Sequence, residues 1–258
     1  MMSEAEVQEE IRDILRRLRP RKARARQLLP WPVREVKKAR FGSANDGGYV
    51  LLDDFRNIDT AFSFGIENNA EWDLQIADKG ITVYQFDPTV DAPCPDNSRM
   101  VFERKRITPE PQPEAETLVS LVKRHDRRKR RPNILLKTDI ETDEWAVIDA
   151  TPPETLCRFT QIVGEFHYLE SLSDPGWRAL IGRAVKKLTA EYFVAHVHAN
   201  NYAAVTTIGD VMFPNVLELT LANRRLYAPA DTDETFPGPL DKPCNPGALD
   251  IPLGPFRY

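Results

Sequence analysis

The sequence predicts an α/β fold: a seven-stranded, mostly parallel sheet with one antiparallel strand and helices on both faces. Three observations point there. Short apolar runs alternate with helical periods from Ala61 onward. The chain has 258 residues, 41% hydrophobic and 29% charged, which suits one large soluble core. Residues 200–214, between the last two strands, are too few for a comfortable crossover helix, so those strands pair antiparallel.

The elements follow in order. Residues 3–19 read as an amphipathic helix with Val7, Ile11, Ile14, Leu15 and Leu18 on one face. Glutamates come early and arginines late, as the helix dipole favours, and Pro20 ends it. Residues 45–48, Asn-Asp-Gly-Gly, are turn chemistry before a short strand at 49–52. Strands are expected at 61–65, 81–86, 99–107, 133–140, 161–169, 192–199 and 215–222. Helices are expected near 70–79, through Leu118, Leu121 and Val122, at 143–150, and from Asp174-Pro175, where Asp caps and Pro opens the first turn. This divides the chain into an N-terminal helical segment (1–39), the sheet domain (40–227) and a proline-rich tail (228–258), draped over the domain or partly disordered.

Composition narrows the function. No apolar run approaches the ~20 residues of a membrane span, and the acidic start is no secretory signal. Three widely spaced cysteines make neither a disulfide framework nor a zinc set, and fit a reducing cytoplasm. Net charge is 35 − 39 = −4, yet residues 16–26 hold seven basic side chains and 127–131 read RRKRR. These runs are either solvated surface or a contact for an anionic partner such as a phosphorylated substrate or nucleic acid. Neither contains an aromatic residue for base stacking, which disfavours nucleic acid. The N-terminal helix makes a homodimer an expectation.

The informative stretch is 60–88. A strand ends at Gly65 and, after a helix, the next ends at Asp87. Glycine after one strand and an acid at the tip of its neighbour is how α/β proteins grip a nucleoside. The glycine admits the ligand, and the Asp87 carboxylate accepts the ribose hydroxyl protons. One glycine in FGIEN offers no cradle for a dinucleotide pyrophosphate, so a nicotinamide dehydrogenase is disfavoured.

Five segments occur in order: FGSANDGGYVL, FSFGIENNAEWDLQIADKGITVYQFDPT, LLKTDIETDEW, EFH and HANN. Together, over about residues 38–222, they resemble the FkbM-like class of methyltransferases, in the branch of the animal methyltransferase-like proteins. The resemblance implies a Rossmann-like seven-stranded methyltransferase sheet using S-adenosyl-L-methionine, and O-methylation of a small hydroxylated acceptor such as a sugar or glycosylated natural product. It places Gly65, with Ile66 and Glu67, in the first cofactor loop and Asp87, with Pro88, at the ribose. It places Asp46, Gly47, Gly48 and Tyr49 near the cofactor's amino-acid end or over the active site. Lys137 to Glu141 matches K-x-D-I-E, with Asp139 facing the methionine end and the acceptor; Thr142 stands where relatives commonly have glycine.

Further polar groups reach the same rim. Glu165 and His167 share one face of their strand, and His196 and His198 share one face of the next, before Asn200 and Asn201. Methyl transfer needs alignment and removal of the acceptor's proton, a task for a histidine base, His167 or His198. Asp139, Glu165, His167 and His198 are also a candidate divalent-metal set. Carboxylates alone favour magnesium; two imidazoles favour manganese, iron or zinc. The alternatives are an RNA-binding protein or RNA methyltransferase using the basic runs, and a non-catalytic member serving assembly.

Overall fold

A computed structural model describes residues 2–26, 35–91, 97–126, 131–141 and 143–258. Most of the RRKRR run, Cys94 and Thr142 lie outside the described residues. Seven strands form the central sheet: β1 (Thr60–Phe64), β2 (Thr82–Phe86), β3 (Met100–Glu103), β4 (Ile134–Thr138), β5 (Phe159–Phe166), β6 (Tyr192–Ala199) and β7 (Leu217–Asn223). Their order is β3-β2-β1-β4-β5-β7-β6. β7 runs antiparallel to both β5 and β6, and the other neighbours are parallel. The reversed strand is therefore last in sequence but second from the edge in space. The segment before it is not a plain loop: Val205–Ile208 and Val211–Pro214 form a small hairpin.

β3 stops well short of 107. Arg106–Ile107 turns aside to pair with Ala115–Glu116. The remaining strands fall within a few residues of expectation.

The helices are α1 (Glu4–Arg17), α2 (Glu71–Ala77), α3 (Leu118–His125), α4 (Glu144–Ala150), α5 (Pro153–Leu156) and α6 (Pro175–Glu191). One face of the sheet is covered by helices: Phe62, Phe64, Leu136, Ile162, Val194 and Leu219 pack with side chains of α1, α3, α4 and α6. α1 starts at a capping box, with Ser3 and Glu6 satisfying each other's backbone N–H. Its apolar face, Ile11, Ile14 and Leu15 with Leu18 just beyond, is buried in this core and lies against α6 of the same chain. Each such burial contributes roughly 1.5–3 kcal/mol. That apolar face is therefore buried within the chain itself.

The other face carries α2 and a hairpin of Lys38–Gly42 with Gly48–Leu52. The hairpin takes the place of further helices. Its second strand is buried throughout and is bracketed to the sheet by two buried polar side chains. Gln161 of β5 accepts from Leu52 N at 2.9 Å and donates to Leu52 O at 3.0 Å, and Thr220 of β7 donates to Val50 O. This placement brings Asp46 to Tyr49 over the carboxyl ends of the strands.

The tail is draped and docked. Tyr227–Ala230 pairs with Lys22–Ala25, and Phe236, Cys244 and Phe256 are buried. Much of the first basic run is used in the fold: Arg16 bonds Glu9, Arg17 bonds Asp13, Arg21 bonds Asp231, Lys22 approaches Asp233, and Arg26 donates to Arg224 O.

Candidate functional site

The carboxyl ends of β1, β2, β4 and β5 open into a cavity of about 900 Å³. Its floor depends on two glycines. Gly65 has φ +70°, and a Cβ there would stand 1.6 Å from Asp139 O. Gly164 does the same for Thr138 O, at 1.7 Å. Side chains at these positions would push β1 and β5 off β4. Lys137, buried in β4, donates to Gly65 O and fixes the loop from below.

Asp87 lines the cavity at the tip of β2, but its oxygens are occupied. Oδ2 accepts from Ile66 N at 2.8 Å and Glu67 N at 2.9 Å. Oδ1 accepts from Thr89 N at 2.7 Å and Thr89 Oγ1 at 2.6 Å. Burial pushes this carboxyl up, and the bonds from Thr89, Glu67 and Ile66 overcome that and hold it below the usual range. A carboxylate has about four lone-pair sites, so the expected grip on ribose hydroxyls is revised. Asp87 clamps the glycine loop onto β2. A carboxylate at that rim is Glu67, which lines the cavity and has no side-chain partner among the described residues. Glu67 and Glu141, both on the cavity wall, hold left-handed backbone (φ +47° and +60°), as does Tyr168 beside His167 (φ +63°). Such conformations cost about 1–3 kcal/mol and concentrate at functional sites.

The structure brings Asp139, Glu165 and His167 together, with one donor atom of each lying within 4.8 Å of the others. Tyr49 donates to Asp139 Oδ2 at 3.0 Å. Asn200 Nδ2 lies 2.9 Å from both Glu165 oxygens. His167 Nδ1 meets Glu144 Oε1 at 2.9 Å, while Nε2 lies 3.4 Å from Glu165 Oε2. Trp145 Nε1 donates to His167 O at 2.7 Å, so neighbouring residues of α4 fix both ring and backbone.

Charge in this cluster is unbalanced towards the negative. Burial raises Glu165 to about 8, with Asp139 and Glu218 adding to the rise and His167 opposing it. Burial works against charge on His167, but Glu144 and Glu165 outweigh it and lift the imidazole to about 10. Asp46 is raised by burial and then by Asp139 and Glu218. Tyr49 is raised by burial and by Asp139, so it stands as a phenol donor. His167 is thus anchored at Nδ1 by Glu144, while its Nε2 lies 3.4 Å from Glu165 without a hydrogen bond.

His198 is not in this cluster. Its Nδ1 meets Glu218 at 2.7 Å and its Nε2 meets Asp250 of the tail at 3.1 Å, with the side chain fully enclosed. Both ring nitrogens are committed, so neither the base role nor the fourth metal-ligand role has a free atom there. His196 is likewise turned to the tail, with Nε2 at 2.7 Å from Asp241. Alternation along β6 put both histidines on one face; it gave no sign that the tail covers that face.

Gly47, Ile66 and Pro88 line the cavity with Asp46, as the motif order implied, whereas Gly48 and Tyr49 hold the wall from behind. Residues given no role from sequence prove important: Glu144, Asn200, Thr89 and Cys244, whose thiol donates to Glu218 at 3.1 Å. A charged residue at the head of an apolar helix could have flagged Glu144. Nothing local marks Cys244. No protein-family model and no curated protein matches this chain.

Proposed function

We propose that this chain is an S-adenosylmethionine-dependent methyltransferase that methylates oxygen on a small hydroxylated acceptor, a sugar or glycosylated metabolite. The observation that carries the reading is the cavity itself. It spans the glycine loop after β1, the acid at the tip of β2 and the Asp139 cluster after β4. The strand order, with one reversed strand between β5 and β6, agrees with the sheet that the sequence resemblance implies. Nucleosides sit at such carboxyl ends in α/β sheets.

In this reading adenosine lies along Gly65, Ile66 and Pro88, with Glu67 at the sugar hydroxyls. The sulfonium end points towards Asp139. A surplus of carboxylates suits a cation better than a phosphate. The acceptor hydroxyl faces Asp139, Glu165 and His167. As its oxygen attacks the methyl carbon, the C–S pair returns to sulfur and the hydroxyl proton passes to this cluster. Glu165, lifted to about 8 by burial and by Asp139, is the carboxylate of the cluster that in its ionised form holds such a proton most strongly. The free thiols of Cys157 and Cys244 fit a reducing compartment such as the cytoplasm. No helix among the described residues is long and apolar enough to cross a membrane. Among the described residues, Arg16, Arg17 and Arg21 of the first basic run pair with acids of this chain.

Calorimetric titration with S-adenosylhomocysteine tests the reading. It predicts one site per chain, weakened at least ten-fold in Asp87→Ala. A wild-type protein with no binding removes it.

A further inference from the structure

The Asp139–Glu165–His167 cluster has the construction of a metal centre, and we propose that it binds one divalent cation through Asp139, Glu165 and the His167 Nε2. Three features support this. First, the donor atoms converge within 4.8 Å on the cavity floor, close enough for a single ion to touch all three. Second, each donor residue is held by a different residue. Tyr49 holds Asp139, Asn200 holds Glu165, and Glu144 holds Nδ1 of His167. A carboxylate on the far nitrogen of an imidazole fixes the tautomer that presents the near nitrogen to a metal. Third, Glu165 is almost fully enclosed, and both Asp139 and Asp46 bring a carboxylate oxygen within 4.8 Å of it. Enclosed like charges call for a cation among them.

A neighbouring group makes the contrast. His198, Glu218 and Cys244 also lie within ligand reach of one another. There His198 is bonded at both nitrogens and the Cys244 thiol already donates to Glu218. That group is a closed network pinning the tail. In the Asp139 cluster all three donor residues line the cavity, and the His167 Nε2 makes no hydrogen bond.

Two carboxylates and one imidazole suit manganese, magnesium or ferrous iron better than a soft, thiolate-seeking ion. With three protein ligands, an octahedral ion keeps further positions for water or an acceptor oxygen. Bound there, the acceptor hydroxyl becomes more acidic and its oxygen is fixed for attack. The role given to the ion rests on the methyl-transfer reading; the binding of the ion does not.

Manganese(II) is the probe. The full chain, stripped with a chelator, is titrated with Mn²⁺ by calorimetry and by loss of the free-ion EPR signal. One ion per chain is expected, bound at least ten-fold more weakly in Glu165→Gln and His167→Gln. Pulsed EPR of the loaded wild type, which needs no variant to fold, is expected to show one directly bound imidazole nitrogen. Absence of stoichiometric binding, or a bound ion without that nitrogen, overturns the site. S-adenosylhomocysteine is titrated in parallel. Its binding without Mn²⁺ binding removes the cation site alone. Mn²⁺ binding without it leaves the site standing and removes its role in methyl transfer.

Discussion

Asp87 Oδ2 accepts the backbone N–H of Ile66 at 2.8 Å, joining the tip of β2 to the loop that leaves β1. The same carboxylate takes Glu67 N and both donors of Thr89, so it organises two loops at once. Asp87→Ala leaves those N–H groups without an acceptor, and hydrogen bonds to a charged group contribute about 1.5–3 kcal/mol each. The loop should loosen, and S-adenosylhomocysteine affinity should fall by ten- to a hundred-fold in calorimetry. Asp87→Asn, which keeps the size but loses the charge, should fall between the two. An unchanged affinity in both variants would show that the loop needs no clamp.

Gly65 and Gly80 both have positive φ, +70° and +85°, yet their surroundings differ. A Cβ at 65 meets Asp139 O at 1.6 Å, whereas at 80 nothing lies within 4 Å. Gly80→Ala should cost only the left-handed backbone penalty, roughly 1 kcal/mol. Gly65→Ala should cost at least about 2 kcal/mol more, because β1 must move off β4. Equal denaturation midpoints for the two variants would contradict the close approach.

Gln161 replaces a missing sheet neighbour for the hairpin strand, bonding both Leu52 N and Leu52 O in a buried setting. Gln161→Leu fills similar space but leaves an enclosed donor and acceptor unmet, at about 1–3 kcal/mol each. Urea unfolding should show a loss of about 2–6 kcal/mol. A variant as stable as the parent would mean water replaces the amide.

His198 gives the tail a pH dependence. Burial opposes its charge, but Glu218, Asp241 and Asp250 outweigh it and push the imidazole up to about 9. The folded value lies above the ordinary unfolded one of about 6.5. Its contribution to stability is therefore full below about 6.5 and is lost as pH rises through about 9. Thermal midpoints should fall across that window in the parent and change less in His198→Gln. A parent midpoint that rises there would contradict the pairing.

Much of the sheet was legible because buried strands and amphipathic helices carry their period in sequence. Phe62, Phe64 and Phe86 on one side of the strands, and Trp72 and Ile76 on α2, are such signals. The convergence of Asp139, Glu165 and His167 was legible too, since parallel strands deliver their ends to one rim. Three things were not. Asp87 was read as a ligand group because its own four backbone and hydroxyl partners are set by loop geometry. The site of His198 was hidden because Asp250 and Cys244 reach it from a tail without periodicity. The apolar face of α1 gave no address, and only the fold shows it against α6.

The most direct test is a crystal structure of the chain with S-adenosylhomocysteine. The account predicts adenosine on the Gly65–Ile66 turn beside Pro88, with the sulfur directed at Asp139. Density for the nucleoside at any other face of the sheet, or none at saturating concentration, would contradict it.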